Sequence, residues 1–239
     1  LISAAENSGR MGVIDRWVLA HTVQWLATHK EQLKNTQFVC MNLSGASLND
    51  EKFIQDVFDT LEGNLHIAKH LCLEITETVA LHDLQNTRRF IERLRQYGAK
   101  VALDDFGAGY TSFSYLRDLP SDLLKIDGSF IVHMNQHPAN IAIVEAIVSL
   151  ARNLGMRTIA EWAEDCATVQ TLVEIGVDYV QGYVVAHPQH PDVILQASSS
   201  ASFISDPALQ TFVKNLQPRV FEIGHTGMFP DTSTTRNLQ

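Results

Sequence analysis

Two adjacent carboxylates, Asp104 and Asp105, directly follow a short apolar run. Such a pair is costly at the end of a buried strand unless a cation or hydrogen-bond donors neutralise it. Further oxygen-bearing side chains end the neighbouring apolar runs, namely Asn42, Glu74 and Glu161. Hard divalent cations such as Mg²⁺ and Mn²⁺ prefer all-oxygen ligands, and a pair of such ions can activate water for phosphoryl displacement. The alternative is that the aspartates cap the next segment or pair with arginines.

Lys125 and Gln181 also end apolar runs, and each has a functional and a structural interpretation. Lys125 can reach a water or a phosphate near the ions, or it can be a surface lysine whose stem lies along apolar residues. Gln181 can orient a water or a metal ligand, or it can be a hydrogen-bonded core glutamine. Residues 107–114 contain two glycines and small hydroxyl residues, which predicts either a mobile flap anchored by Glu77 or an ordinary strand–helix loop.

Short apolar runs alternate with longer amphipathic stretches along the chain. The runs predicted as buried strands are Phe38–Met41, Leu71–Ile75, Val101–Leu103, Leu123–Ile126, Thr158–Ala160 and Tyr179–Val180. The stretches with helical spacing are Asp15–Lys30, Phe53–Leu61, Leu84–Tyr97, Asn140–Leu154 and Ala167–Ile175. This alternation predicts parallel strands with crossover helices, and hence an α/β barrel or an open doubly wound sheet.

The polar residues at the strand ends favour the barrel. In a barrel the strand ends meet at one mouth, where the chemistry is placed, whereas an open sheet brings together only the pair at its switch point. Six strands are two short of the eight in such a barrel, so we expect two strands to precede the helical segment at residues 1–8. We predict a barrel domain over residues 1–195. The remainder, 196–239, is predicted to be a partly irregular C-terminal appendage with one helix at 206–216.

The composition restricts the classes of function. The chain has 239 residues, 45% of them hydrophobic, and a formal net charge of -9. That charge argues against a surface for a nucleic-acid polymer or a membrane, but a bound divalent ion would still allow a small phosphorylated ligand. The three cysteines have neither disulfide-framework nor zinc spacing, which indicates a reducing, cytoplasmic compartment. No apolar stretch reaches the ~18 residues that span a bilayer, so any membrane anchor is expected outside this segment.

Six motifs in order resemble the EAL domain family, the metal-dependent phosphodiesterases that linearise cyclic di-GMP. The matching stretches are Met41–Ser44 (MNLS), Leu73–Thr78 (LEITET), Leu103–Ser112 (LDDFGAGYTS), Leu119–Asp127 (LPSDLLKID), Ala160-Glu161 with Glu164, and Gln181–Tyr183 (QGY). The resemblance runs from residue 1 to about Pro188. It implies an eight-stranded TIM-like barrel with one antiparallel strand near its start, and a homodimer formed through the helices beside the flap.

The resemblance also implies roles for the matching residues. The implied ligands of two ions, Mg²⁺ or Mn²⁺, are Asn42, Glu74, Asp104, Asp105 and Glu161, with Asp104 bridging. The implied catalytic residues are Lys125, which would hold the nucleophilic water or stabilise the charged transition state, Gln181 as an orienting group, Glu77 as the flap anchor, and Glu161. The implied substrate-binding residues are Ser44, Glu164, Tyr183 and Pro188.

Two departures from the family pattern leave the function open. The Glu-Ala-Leu motif that names the family, and supplies one metal ligand, is expected upstream of Leu1; without it, one ion would be under-coordinated. Trp162 stands where the family usually has glycine, and it either narrows the guanine pocket or turns outward. Three functions follow: a phosphodiesterase that forms linear pGpG, a receptor that binds cyclic di-GMP without cleaving it, or a protein-interaction scaffold. A sensory or GGDEF domain is expected upstream.

Overall fold

The protein forms a six-stranded parallel sheet surrounded by helices. The computed structural model describes residues 2–109 and 113–216. The strands are Val39–Asn42 (β1), Leu71–Thr76 (β2), Lys100–Phe106 (β3), Leu123–Ile126 (β4), Arg157–Ala160 (β5) and Tyr179–Val180 (β6). Each strand pairs in parallel with the next one along the chain, from β1 to β6. All six predicted strands and the α/β class are confirmed.

Helices connect the strands, and several of them are directly preceded by an aspartate. The helices are Ile2–Asn7 (α1), Met11–His29 (α2), Gly45–Leu48 (α3), Glu51–Glu62 (α4), Leu65–Ala68 (α5), Glu77–His82 (α6), Leu84–Gln96 (α7), Gly128–Ile131 (α8), Pro138–Asn153 (α9), Cys166–Ile175 (α10), Val193–Gln196 (α11) and Pro207–Asn215 (α12). The carboxylates of Asp50, Asp83, Asp165 and Asp206 accept backbone N–H bonds at the starts of α4, α7, α10 and α12. Each satisfies donors that a helix leaves unpaired.

The sheet is curled, and the curl brings Tyr179 at the start of β6 into contact with the residues just before β1. The rings of Phe38 and Tyr179 lie 5.4 Å apart, edge to face. The Tyr179 hydroxyl donates a hydrogen bond of 2.7 Å to Gln37 Oε1. An open doubly wound sheet would keep its edge strands far apart, so the barrel-type curl is confirmed.

Strand β3 is longer than the sequence predicts. It runs to Phe106 and therefore contains Asp104 and Asp105, which we expected to lie just beyond it. The pairing of β3 with β4 shifts register between Leu103 and Phe106. A β-bulge of this kind lets a ladder continue while one residue is re-aimed, which is a recurrent feature near functional sites.

The core lies between the sheet and the helices and continues into the C-terminal region. Large buried side chains include Phe53 and Phe58 on α4 and Phe106 at the end of β3. Ile204 and Leu209 join the same cluster. The helix predicted at 206–216 is confirmed, and the predicted irregular tail beyond it lies outside the described residues. Within the described ranges, no helix combines the length and apolar character needed to cross a bilayer.

Candidate functional site

Four charged side chains predicted from the sequence meet at the carboxyl ends of the strands. Glu74, Asp104, Lys125 and Glu161 are all buried. The sheet register explains their proximity, because Glu74 on β2 faces Ala102 on β3, and Ile126 on β4 faces Ala160 on β5. Carboxyl ends of parallel strands converge in a barrel-type sheet, so residues far apart in the chain become neighbours.

Lys125 is the centre of this group. Its Nζ lies 2.8 Å from Asp104 Oδ1, 2.9 Å from Glu161 Oε1 and 3.0 Å from Glu74 Oε2. Only 3% of its surface is exposed, which is incompatible with the surface-lysine interpretation. Burial by itself lowers the pKa of Lys125, but the three carboxylates outweigh it and the pKa is raised. The ammonium is therefore a fixed positive charge at the carboxyl ends of the strands.

A second group of carboxylates lies beside the lysine. Oxygen atoms of Asp104, Asp105 and Glu161 all lie within 4.8 Å of one another. Asp105 has a left-handed backbone with a φ of 54°, and its N–H donates to Asp104 Oδ1 at 3.0 Å. Backbone strain of this sort persists where the surrounding structure enforces it, and it is concentrated at functional sites. The donors are all hard oxygen atoms, and this set fits a divalent cation.

Burial, together with neighbouring charges, raises the pKa of two of these carboxyls. Desolvation, reinforced by Asp104, raises the pKa of Asp105. Desolvation also raises the pKa of Glu161, although the Lys125 ammonium opposes the shift. Both carboxyls therefore hold their negative charge less readily than in water, which is the condition that a bound cation relieves.

Asn42, the fifth predicted ligand, lies at the end of β1 directly beside Glu74 in the sheet register. Its side chain is exposed, at the edge strand of the described sheet. The structure thus places Asn42 next to Glu74, and its role as a metal ligand stays a prediction.

Glu77 holds the chain on both sides of the predicted flap. Its Oε2 accepts from the Gly107 N–H at 3.1 Å, and its Oε1 accepts from the Tyr115 hydroxyl at 2.5 Å. Residues 110–112 of the predicted flap lie outside the described residues. Tyr115 was not singled out from the sequence; its position in a helical stretch gives no signal of this contact.

Ser44 is hydrogen-bonded to α2, the first long helix. Its hydroxyl donates to Asp15 Oδ2 at 2.6 Å, and its N–H donates to the same oxygen at 3.0 Å. Asp15 is buried on α2, where the sequence shows only an acidic residue in an amphipathic pattern. Asp15 therefore positions the segment that follows Asn42, and substrate binding by Ser44 stays a prediction.

Replacing Asp15 by alanine is expected to lower the free energy of unfolding by about 1–3 kcal/mol, because two partly buried donors of Ser44 lose their acceptor. Urea unfolding of the variant measures the loss. The control is Glu31→Ala, which removes an exposed carboxylate near the end of the same helix. Equal midpoints for the two variants would contradict a positioning role for Asp15.

A cavity of about 510 Å³ lies among the residues that follow β5 and β6. The lining includes the remaining predicted residues Glu164, Gln181, Tyr183 and Pro188, together with Trp162 and His187. Gln181 is exposed at this wall rather than buried in the core. Gly182 permits the close approach of the two lining loops, since a Cβ there would lie 2.1 Å from the Ala163 carbonyl oxygen.

Comparison with known proteins identifies the family to which this chain belongs. The model of the EAL domain matches residues 1–188. This chain belongs to the EAL domain family. Similar curated proteins include the cyclic di-GMP phosphodiesterase PdeB of Shewanella oneidensis, 36% identical over 79% of the chain, and PdeF of Escherichia coli, 34% identical over 79%. The chain spans only 22% and 25% of the lengths of these relatives.

Solved structures of EAL domains resemble this one in fold. The PaMucR phosphodiesterase in complex with c-di-GMP has a TM-score of 0.75 and 30% identity, and the match covers 81% of this chain and 78% of that one. The FimX EAL domain of Pseudomonas aeruginosa bound to c-di-GMP has a TM-score of 0.71 and 26% identity, with coverage of 79% and 75%. The EAL-type fold expected from the six motifs is confirmed.

Proposed function

We propose that this EAL domain hydrolyses cyclic di-GMP to linear pGpG with the help of two divalent ions. The observation that carries the proposal is the convergence of Asp104, Asp105 and Glu161 to within 4.8 Å of one another, beside a lysine buried among carboxylates. Burying so many charged groups is energetically unfavourable in a protein that binds no cation or phosphate. The named activities of the related phosphodiesterases support the same assignment.

Mg²⁺ or Mn²⁺, when bound, would lower the pKa of a water molecule and neutralise charge on the phosphodiester. The ligands would come from Asp104, Asp105 and Glu161, with Glu74 and Asn42 as the remaining donors. Lys125 would then present its ammonium to the oxygen atoms on which negative charge develops. Gln181 would orient the reacting groups from the opposite wall, and Glu77 would hold the flap close to them.

The substrate would lie across the strand mouth and extend into the neighbouring cavity. Its phosphate groups would approach the acidic group with its ions, and one base would reach Glu164, Tyr183 and Pro188. Ser44 would contact the substrate near β1. We further propose that the domain acts in the cytoplasm as a homodimer, within a larger protein that carries a sensory or GGDEF domain and any membrane anchor.

The test is a chromatographic assay of cyclic di-GMP turnover, with any residues that precede Leu1 in the natural reading frame retained. We expect pGpG to accumulate with Mg²⁺ or Mn²⁺ and to stop accumulating after addition of EDTA, because the proposed reaction uses water whose pKa is lowered by a bound ion. Restoring the metal should restore turnover. Separate titrations with the two metals give the preference. Turnover that continues undiminished in EDTA would contradict the metal-dependent proposal.

A receptor function is the second candidate, and Trp162 favours it. Its bulky side chain lines the cavity at a position next to Glu161. Calorimetric binding of cyclic di-GMP without turnover in either metal would support the receptor. Neither binding nor turnover would leave the scaffold interpretation.

A further inference from the structure

Trp162 lies on the wall of the cavity, one residue after the candidate cation ligand Glu161. It follows Glu161 directly and lines the cavity of about 510 Å³. Sites for small molecules typically have volumes of about 300–1,000 Å³ and aromatic linings. The cavity is therefore large enough for a ligand group, and Trp162 forms part of its wall.

The backbone and exposure of Trp162 are not those of a packing residue. Its φ is 54°, in the left-handed region that bulky side chains rarely adopt. Its side chain is also 57% exposed, so burial in the core does not offset that strain. Strained and exposed aromatic residues of this kind are concentrated at ligand sites.

One face of the Trp162 indole lies against Gly128, the first residue of α8. A Cβ added to Gly128 would lie 2.1 Å from Trp162 Cδ2 and 2.4 Å from both Cγ and Cε3. These distances place the glycine against the flat face of the ring. Any side chain at position 128 would displace the indole, so the absence of a Cβ there allows Trp162 to take this position.

The rest of the cavity presents flat rings and polar groups. The rings of Tyr183 and His187 are stacked with centroids 4.5 Å apart, and Pro188 lies beside them. Flat heteroaromatic ligands stack on such surfaces. The Glu164 carboxylate can accept hydrogen bonds from the N–H groups on one edge of guanine.

We propose that Trp162, whose ring lies against Gly128, is a substrate-positioning residue that stacks on one guanine base of the cyclic dinucleotide. This inference rests on the proposed function, because it takes the substrate from it. The base lies against the indole, and the adjoining phosphate is thereby directed to the carboxylates of Asp104, Asp105 and Glu161. Gly128 acts through Trp162 rather than on the substrate.

Kinetics of three variants test the proposal in the full natural protein. Trp162→Leu is expected to raise KM, and the Kd measured with Ca²⁺ in place of Mg²⁺, by about 5- to 150-fold, the range for loss of base stacking. KM should change more than kcat, because stacking binds substrate and transition state alike. Trp162→Phe keeps a ring and should recover most of the affinity. Gly128→Ala should weaken binding in the same direction as Trp162→Leu.

A double variant separates stacking from general damage to the fold. In Trp162→Gly, the further change Gly128→Ala should have no additional effect on KM, because the indole that it displaces is gone. Binding should also quench the fluorescence of Trp162 in a variant in which Trp17, Trp25 and any tryptophan outside residues 1–239 are replaced by phenylalanine. Thermal unfolding verifies that each variant folds.

Two results would overturn the inference, and they are distinguishable. If the unmodified protein binds and cleaves cyclic di-GMP while Trp162→Leu and Gly128→Ala leave KM and Kd unchanged, stacking is wrong and the proposed function stands. If the unmodified protein neither binds nor cleaves cyclic di-GMP, both proposals fall.

Discussion

Replacing Lys125 by methionine is expected to lower the free energy of unfolding by about 3–5 kcal/mol in metal-free buffer, the cost of removing one partner from a buried ion pair. The Lys125 ammonium lies within 3.0 Å of oxygen atoms of Glu74, Asp104 and Glu161. Methionine has a similar length and fills the same volume, but it leaves three carboxylates facing one another without a cation. Denaturant unfolding in EDTA measures the loss.

Divalent ions should reverse part of this loss. Ligands that bind the folded state stabilise it by an amount that grows with the logarithm of their concentration. Mg²⁺ or Mn²⁺ should therefore raise the unfolding midpoint of Lys125→Met more than that of the unmodified protein, whose lysine already neutralises the group. Lys52→Met, at an exposed position on α4, serves as the control. A loss below about 1 kcal/mol, the value of an exposed pair, would contradict the structural role of Lys125.

Replacing Asp104 by asparagine should abolish turnover of cyclic di-GMP. Asp104 belongs to both charge groups, since it pairs with Lys125 at 2.8 Å and shares the candidate cation site with Asp105 and Glu161. Outer partners of metal ligands already contribute about 10–100-fold to activity or metal affinity, so the loss of a direct ligand should be at least as large. Chromatography of the product and calorimetric titration of Mn²⁺ should both register the change.

Glu174→Gln is the matched control for Asp104→Asn. It makes the same carboxylate-to-amide change at an exposed position on α10. The control should retain both turnover and metal affinity. A decrease in turnover of less than about tenfold for Asp104→Asn would be smaller than the loss of a direct metal ligand allows. That result would contradict the assignment of Asp104 to the metal site.

The register of the sheet explains why the sequence could predict the acidic group. Each apolar run is short and has a polar residue at its end, and such local patterns identify strands without knowledge of their neighbours. Because successive parallel strands pair in chain order, their carboxyl ends had to converge once the sheet curled. Glu74, Asp104, Lys125 and Glu161 could therefore be selected from the sequence by their position alone.

Other contacts depend on geometry that a linear pattern does not contain. The bulge that carries Asp104 and Asp105 within β3 arises from pairing with β4 and was not predicted. The hydrogen bonds from Ser44 to Asp15 and from Tyr115 to Glu77 join residues 29 and 38 positions apart. Nothing in the local spacing of these residues specifies a partner, since helical periodicity only assigns them to a buried face.

Trp162 illustrates the division most clearly. The sequence showed a tryptophan where related domains usually have glycine, and it left open whether the ring turns inward or outward. The tertiary structure placed it against Gly128, 34 positions earlier, on the wall of a cavity. Residue type and periodicity, which are local, determined the strands, the helices and the chemistry available at their ends. Distances between side chains on different strands, which depend on curl and register, decided which of those groups share a charge, a cation site or a ligand.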